Sequence, residues 1–257
     1  MKINRPMWIT FGGVLTVAVL AIGVAGAWIG LFADTNDIDR TERSTYSRAI
    51  SALDIDLEAG DVSVRTSPGR EVAVSRHIVW NGDTKPQFKE VFVGDRLEIT
   101  AGDCDGAFDN CSIDYEIEVP EDVRVTIRTS GGDVETDSVR DVGTIHTSGG
   151  DVSVIGSAES LRANTSGGDI SIVSAQGSVN AESAGGDIEL DFVSPPISAR
   201  AKSSGGDVEV ALPAGGDYRV DGRADGGHVG ISVRESAVPT SVISAHTSGG
   251  DVDVHYR

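Results

Sequence analysis

The sequence predicts an all-β protein: a right-handed β-solenoid, a β-helix-like stack of ~18-residue coils, preceded by one transmembrane helix. Three observations predict it. A Gly-Gly-Asp phrase returns at near-constant intervals, apolar and polar residues alternate on both sides of it, and one uncharged apolar run stands near the N-terminus.

The phrase opens as Thr129-Ser130-Gly131-Gly132-Asp133-Val134 and recurs with its first glycine at 149, 167, 185, 205, 226 and 249. The steps are 18, 18, 18, 20, 21 and 23 residues. A fixed period of this size marks stacked repeats rather than one irregular domain. Before the glycines come runs such as Val125, Ile127, Thr129 and Leu161, Ala163, Thr165; after them come Val152, Val154 and Ile170, Ile172. Spacing of two means strands with one buried face. Identical corners at regular intervals favour coils stacked in register over a hairpin meander. With strands about 4.8 Å apart, six steps taken in sequence order span roughly 29 Å. Connections between parallel strands are nearly always right-handed, which sets the predicted hand. The glycine pairs are expected to supply positive φ at tight corners, so that valine at Gly149 or Gly167 strains the backbone and valine at Gly226 matters less.

The alternation begins earlier. Ile55, Leu57, Ala59, Gly60, Asp61, Val62, Val64 repeats the phrase with one glycine missing, and Val72/Val74, Leu97/Ile99 and Ile113/Tyr115/Ile117/Val119 continue it. Residues 48–257 therefore read as one solenoid domain, irregular in its first third.

Residues 8–32 carry no charge and are long enough to span a bilayer, with Trp8 and Trp28 near the ends. Lys2 and Arg5 precede the run, while Asp34, Asp37 and Asp39 follow it. The positive-inside rule puts residues 1–7 in the cytoplasm and the chain after residue 33 outside. Ala25-Gly26-Ala27 also fits a signal-peptide cleavage site; the length of the run and its continuation through Phe32 favour an uncleaved anchor. Residues 33–47 are polar, lack apolar periodicity and read as a stalk.

Beyond the anchor 19 basic residues face 40 acidic ones, a balance expected to repel nucleic acid and anionic lipid headgroups and to keep the domain soluble. Aromatics make up only 5% of the chain, so the core must be thin and aliphatic. Cys104 and Cys111 bracket an acidic loop, and outside the cell the two are expected to form a disulfide.

Six corners place aspartate after the glycines: Asp133, Asp151, Asp169, Asp187, Asp207 and Asp251, with His228 in the seventh slot. Stacked coils would align these in a column. Calcium-binding β-rolls use a nonapeptide repeat with a second spaced glycine, which is absent, so hydrogen bonding of each aspartate within its own turn is favoured over metal binding. The column Thr129, Thr147, Thr165, Ser183, Ser203, Thr247 reads as a hydroxyl ladder joining neighbouring strands. Asp103, Asp105 and Asp109 do not match a calcium loop. His77, His146, His228, His246 and His255 are scattered and attached to no nucleophile motif. The expectation is therefore no catalytic, cofactor-binding or metal-binding residue and no enzyme activity.

The anchor, the phrase Asp54-Ile55-Asp56-Leu57-Glu58-Ala59-Gly60-Asp61-Val62, the strand Tyr115-Glu116-Ile117-Glu118-Val119-Pro120, the SGGDV corners and Ala211-Leu212-Pro213 before a degenerate repeat resemble the bacterial DUF4097 family of adhesin-like β-strand-repeat surface proteins. The resemblance covers residues 48–257 and implies a β-solenoid with an envelope role, with no catalytic residues to carry over. The expected function is a non-enzymatic, membrane-anchored surface scaffold, adhesin-like or envelope-stress-related, whose partner is an envelope protein or polysaccharide and not nucleic acid. The alternative is a carbohydrate-binding or carbohydrate-active β-helix. Against it, only Trp80 among the three tryptophans lies outside the anchor.

Overall fold

Valine, isoleucine and alanine at every second position give each strand one face that must leave water, and two such faces bury each other. The computed structural model describes residues 38–81, 85–102, 111–156 and 160–257. Its compact unit is Ile38–Arg257. Among the described residues there is no helix, hence none long and apolar enough to cross a membrane; residues 8–32 lie outside them.

The N-terminal strands are β1 (Ile38–Tyr46), β2 (Ala52–Leu57), β3 (Val62–Thr66), β4 (Val72–Trp80), β5 (Phe88–Val93), β6 (Arg96–Ala101) and β7 (Cys111–Val119). The regular part runs through β8 (Arg124–Thr129), β9 (Val134–Asp137), β10 (Asp141–His146), β11 (Val152–Ile155), β12 (Leu161–Thr165), β13 (Ile170–Ala175), β14 (Val179–Ser183), β15 (Ile188–Phe192), β16 (Ser198–Ser203) and β17 (Val208–Leu212). It ends in β18 (Tyr218–Ala224), β19 (Val229–Ile231), β20 (Ser241–Thr247) and β21 (Val252–Tyr256).

The strand before each glycine pair joins one sheet and the strand after it joins the other. The first sheet has the order β1-β4-β7-β3-β9-β11-β13-β15-β17-β21-β19, the second β18-β20-β16-β14-β12-β10-β8-β2-β6-β5. Pairing through the stack is parallel and offset by one repeat, as in Val152↔Ile170 and Ala163↔Ala181. Antiparallel pairing is confined to β1–β4, β4–β7 and β5–β6. The core lies between the sheets: Val152, Val154, Ile170 and Ile172 on one side face the layer of Ile127, Ile145, Ala163 and Ala181 on the other, all at most 1% exposed.

Three expectations change. Residues 38–46, assigned to a stalk, form β1, paired along its whole length with β4. A two-sided polar sequence can serve as an edge strand because backbone hydrogen bonds, not apolar side chains, hold it. The coils do not stack in sequence order either. The β20–β21 coil inserts between the β16–β17 and β18–β19 coils, which leaves the degenerate repeat at the end of the stack. Likewise β2 sits between β6 and β8, and β3 between β7 and β9.

The third change concerns the glycine pairs, none of which has φ in the left-handed region. Positive φ falls instead at the opposite corner, on Ser138, Gly156 and Ser174, themselves spaced by 18 residues. The second glycine of each pair is there for close approach. A Cβ on Gly150 would stand 2.7 Å from the Asp133 nitrogen and closer still to the Gly132 carbonyl. The first glycine has room at Gly149, where the nearest atoms would lie 3.9 Å away, but not at Gly205 or Gly249, where a carbonyl oxygen would lie 2.9 Å away.

Candidate functional site

The corners carry two hydrogen-bond ladders. In one, the Oδ1 of each corner aspartate accepts the backbone N–H of the corresponding residue in the next coil of the stack: Asp151 N–H to Asp133, Asp169 to Asp151, Asp187 to Asp169, at 2.8 Å each. The bonds are therefore between coils and not within a turn, as the sequence reading had them. The ladder begins at Asp114, which accepts from Asp61, and ends where His228 donates its N–H to Asp251. Among the described residues no coil stacks beyond His228, so its slot needs no acceptor, and that accounts for the departure from aspartate. In the other ladder the hydroxyls do not bond each other. Thr165 Oγ1 donates to the Gly150 carbonyl of the preceding coil at 2.9 Å and accepts the Gly168 N–H of its own corner at 3.2 Å. Thr147, Ser183 and Ser203 repeat this.

These aspartates are committed to structure. Among the described residues no group of His, Cys, Asp and Glu is arranged to hold a metal ion. Asp103, Asp105, Asp109 and Cys104 lie outside the described residues; Cys111 opens β7. Trp80 is in the core at 8% exposure, so it offers no platform for a sugar ring. The two ring nitrogens of His77 face carboxylates, Nε2 toward Asp39 at 2.8 Å and Nδ1 toward Asp114 at 3.4 Å. The hydrogen bond to Asp114, with help from Asp39, raises its pKa above the ordinary imidazole value.

A polar cluster fills the N-terminal end of the core. Arg76 and Glu90 form an ion pair at 3.2 Å with side chains 6% and 5% exposed. Tyr46 donates to Glu90, Arg76 donates to Ser44, and the Arg76 guanidinium lies 4.9 Å from the Phe88 ring centroid. Burial pushes the Tyr115 hydroxyl pKa upward. This cluster closes the stack where the parallel coils give way to antiparallel strands.

The outward faces are sorted by charge. On the first sheet the exposed or half-exposed positions carry Glu116, Glu118, Glu135, Asp137, Glu189 and Glu209, with Arg65 bound to Glu118 at 2.5 Å. On the second sheet, from β8 to β20, they carry Arg124, Arg128, Arg162, Arg200 and Lys202 with His146 and His246; Asp141 and Glu182 are the acids there. A shallow groove of about 520 Å³ crosses these strands, lined by Arg124, Thr144, Arg162, Asn180, Arg200 and Ser244. The net charge of −19 had implied a surface hostile to anions everywhere. The structure shows a local exception from β8 to β20, where the strands before the corner hold the cations; Asp54, Asp56 and Glu98 keep the β2–β6 end of the same sheet acidic. The signal was present in the linear sequence as a difference between the two halves of each repeat.

Residues 116–256 match the sequence pattern of the Toastrack DUF4097 family, from the middle of β7 to the end of β21. No curated protein matches the chain. Among solved structures, a protein described as a "putative adhesin" from Bacteroides fragilis is similar at 14% identity, covering 85% of this chain and 97% of its own, with a TM-score of 0.49. Another so described, from Parabacteroides distasonis, is similar at 12% identity over 85% and 98%, also at 0.49. A "putative lipid binding protein" from Parabacteroides distasonis reaches 14% identity over 87% and 98%, at 0.42.

Proposed function

The chain belongs to the Toastrack DUF4097 family, and from that premise we propose that it is a non-enzymatic, single-pass membrane protein presenting a right-handed β-solenoid outside the cytoplasm as an interaction scaffold. In this reading residues 1–7 are cytoplasmic, 8–32 form the anchor and the remainder is exported. The observation that carries the proposal is the sorting of charge between the sheet faces, acidic on the first and basic on the second from β8 to β20. Such faces serve recognition: fixed strand spacing repeats the same side chains at the same interval, and complementary charge steers a partner onto them.

The Cys104–Cys111 disulfide belongs to the same proposal. It is supported by the lack of any free cysteine among the described residues and by the oxidising exterior. Unreduced protein then yields no titratable thiol, and two thiols in folded, unreduced protein would contradict it. Topology is tested with reporters fused after Arg257. Alkaline phosphatase should be active there and a cytoplasmic reporter silent; the reverse outcome places the sheets in the cytoplasm and ends the proposal.

A further inference from the structure

We infer that the groove on the second sheet binds a linear acidic polysaccharide bearing a carboxylate on alternate sugars; this rests on the scaffold reading above and gives it a ligand class. The groove runs across the strands, from β8 to β20, rather than along them. Five strand separations of about 4.8 Å make it roughly 24 Å long. Arg162 and Arg200 stand in register on β12 and β16, which are alternate strands of the sheet, and are therefore about 9.6 Å apart; on β8 that register falls on Thr126, and Arg124 lies two residues away, opposite Asp141. Between them lies Asn180 on β14, and Thr144 on β10 and Ser244 on β20 flank the pair, all neutral side chains that donate and accept hydrogen bonds.

Two charges two strands apart, with an amide between them and a hydroxyl on either side, have the spacing of a disaccharide repeat in which one sugar is charged and the other neutral. Arg162 and Arg200 make no ion pair among the described residues, so their guanidinium forks are open to a bidentate carboxylate. Arg124 lies over Gly143, where a Cβ would come within 2.9 Å of its guanidinium, and it shares Asp141 at 3.4 Å. The missing side chain at Gly143 therefore lets this arginine lie flat in the groove.

Other anions fit less well. A DNA strand carries a phosphate about every 3.4 Å of rise, closer than alternate strands supply cations. A bilayer would meet the whole plane of the sheet and not one column that crosses it.

The test is calorimetric titration of the full-length protein in detergent micelles with hyaluronan, whose carboxylates fall on alternate sugars. Dextran serves as the neutral polymer and phosphatidylglycerol vesicles as the lipid arm. Hyaluronan should bind more weakly as salt rises, and dextran should not bind. The double substitution Arg162→Ser/Arg200→Ser should weaken binding by roughly tenfold or more, the scale of losing charge-assisted hydrogen bonds. Asn180→Asp, which sets a carboxylate between the two arginines, should do the same with both still present. Glu189→Gln/Glu209→Gln, on the opposite sheet, should bind like wild type. The inference is overturned if hyaluronan does not bind, if the double variant binds as well as wild type, or if vesicles bind and hyaluronan does not. An exported protein that ignores hyaluronan sinks this inference alone, whereas an active cytoplasmic reporter at Arg257 sinks the scaffold reading whatever hyaluronan does.

Discussion

Adjacent glycines of one corner should respond oppositely to the same methyl group. At Gly150 a Cβ would stand under 3 Å from backbone atoms of Gly132 and Asp133, where ordinary contact is 3.4–4 Å. Backbone held in a parallel ladder cannot rotate aside as a side chain can, so the two coils must separate locally. Their separation weakens the Asp151 N–H bond to Asp133 and the Thr147 hydroxyl bond to the Gly132 carbonyl. Overpacking costs about 1–3 kcal/mol and each weakened hydrogen bond about 1 kcal/mol. Gly150→Ala should therefore destabilise by about 4 kcal/mol, lowering Tm by roughly 10 °C for a body of this size. At Gly149 the nearest atoms would be 3.9 Å away and φ is not left-handed. Gly149→Ala should be neutral or stabilising by about 0.5 kcal/mol, because alanine restricts the unfolded chain. The assay is thermal and denaturant unfolding of the full-length protein carrying each change. Equal midpoints for the two variants would refute the close-approach account of the corner.

Arg76→Ala leaves the Glu90 carboxylate buried without its partner and should cost about 3–5 kcal/mol in a denaturant melt, whereas Arg65→Ala, at an exposed pair, should cost under about 1 kcal/mol. Asp207→Ala orphans the Asp251 N–H and should cost about 1 kcal/mol, while His228→Asp, in the last coil of the stack, should leave the midpoint unchanged. Because His77 has a raised folded pKa, its ion pairs stabilise fully below the unfolded value near 6.5, and that contribution is lost as pH rises through the folded pKa. NMR titration should place its midpoint above 6.5, and Asp114→Asn should lower it.

The coil and its corner were legible in the sequence because apolar alternation and a repeated phrase are both local signals. Val152/Val154 and Ile170/Ile172 could only be half-buried strands, and they are. Coil order was not legible. The faces of the β16–β17, β18–β19 and β20–β21 coils are alike enough that sequence order looked like stack order. The clue was His228, whose lack of a carboxylate marks a coil with no successor. β1 was invisible because Ile38–Tyr46 is an edge strand with little buried on either side. The glycine pairs were recognised, but the reason was misjudged: two coils approaching within backbone contact require a missing Cβ, and φ does not enter. The basic groove was hidden by the total charge, since Arg162 and Arg200 form a column only once the strands are paired.

The scaffold account is tested most directly by labelling in intact native cells with a membrane-impermeant maleimide. Single cysteines are placed at Asn164 on the second sheet and Ser171 on the first, with the wild-type chain as blank. Both positions should react in intact cells, as required of an exported body. The Asn164→Cys site should react more slowly there than in protein purified in detergent, and the Ser171→Cys site should react equally in both, because the proposed acidic ligand covers the basic face and no ligand is proposed for the acidic one. No reaction at either site in intact cells, or identical rates in cells and in detergent at both, would contradict the account.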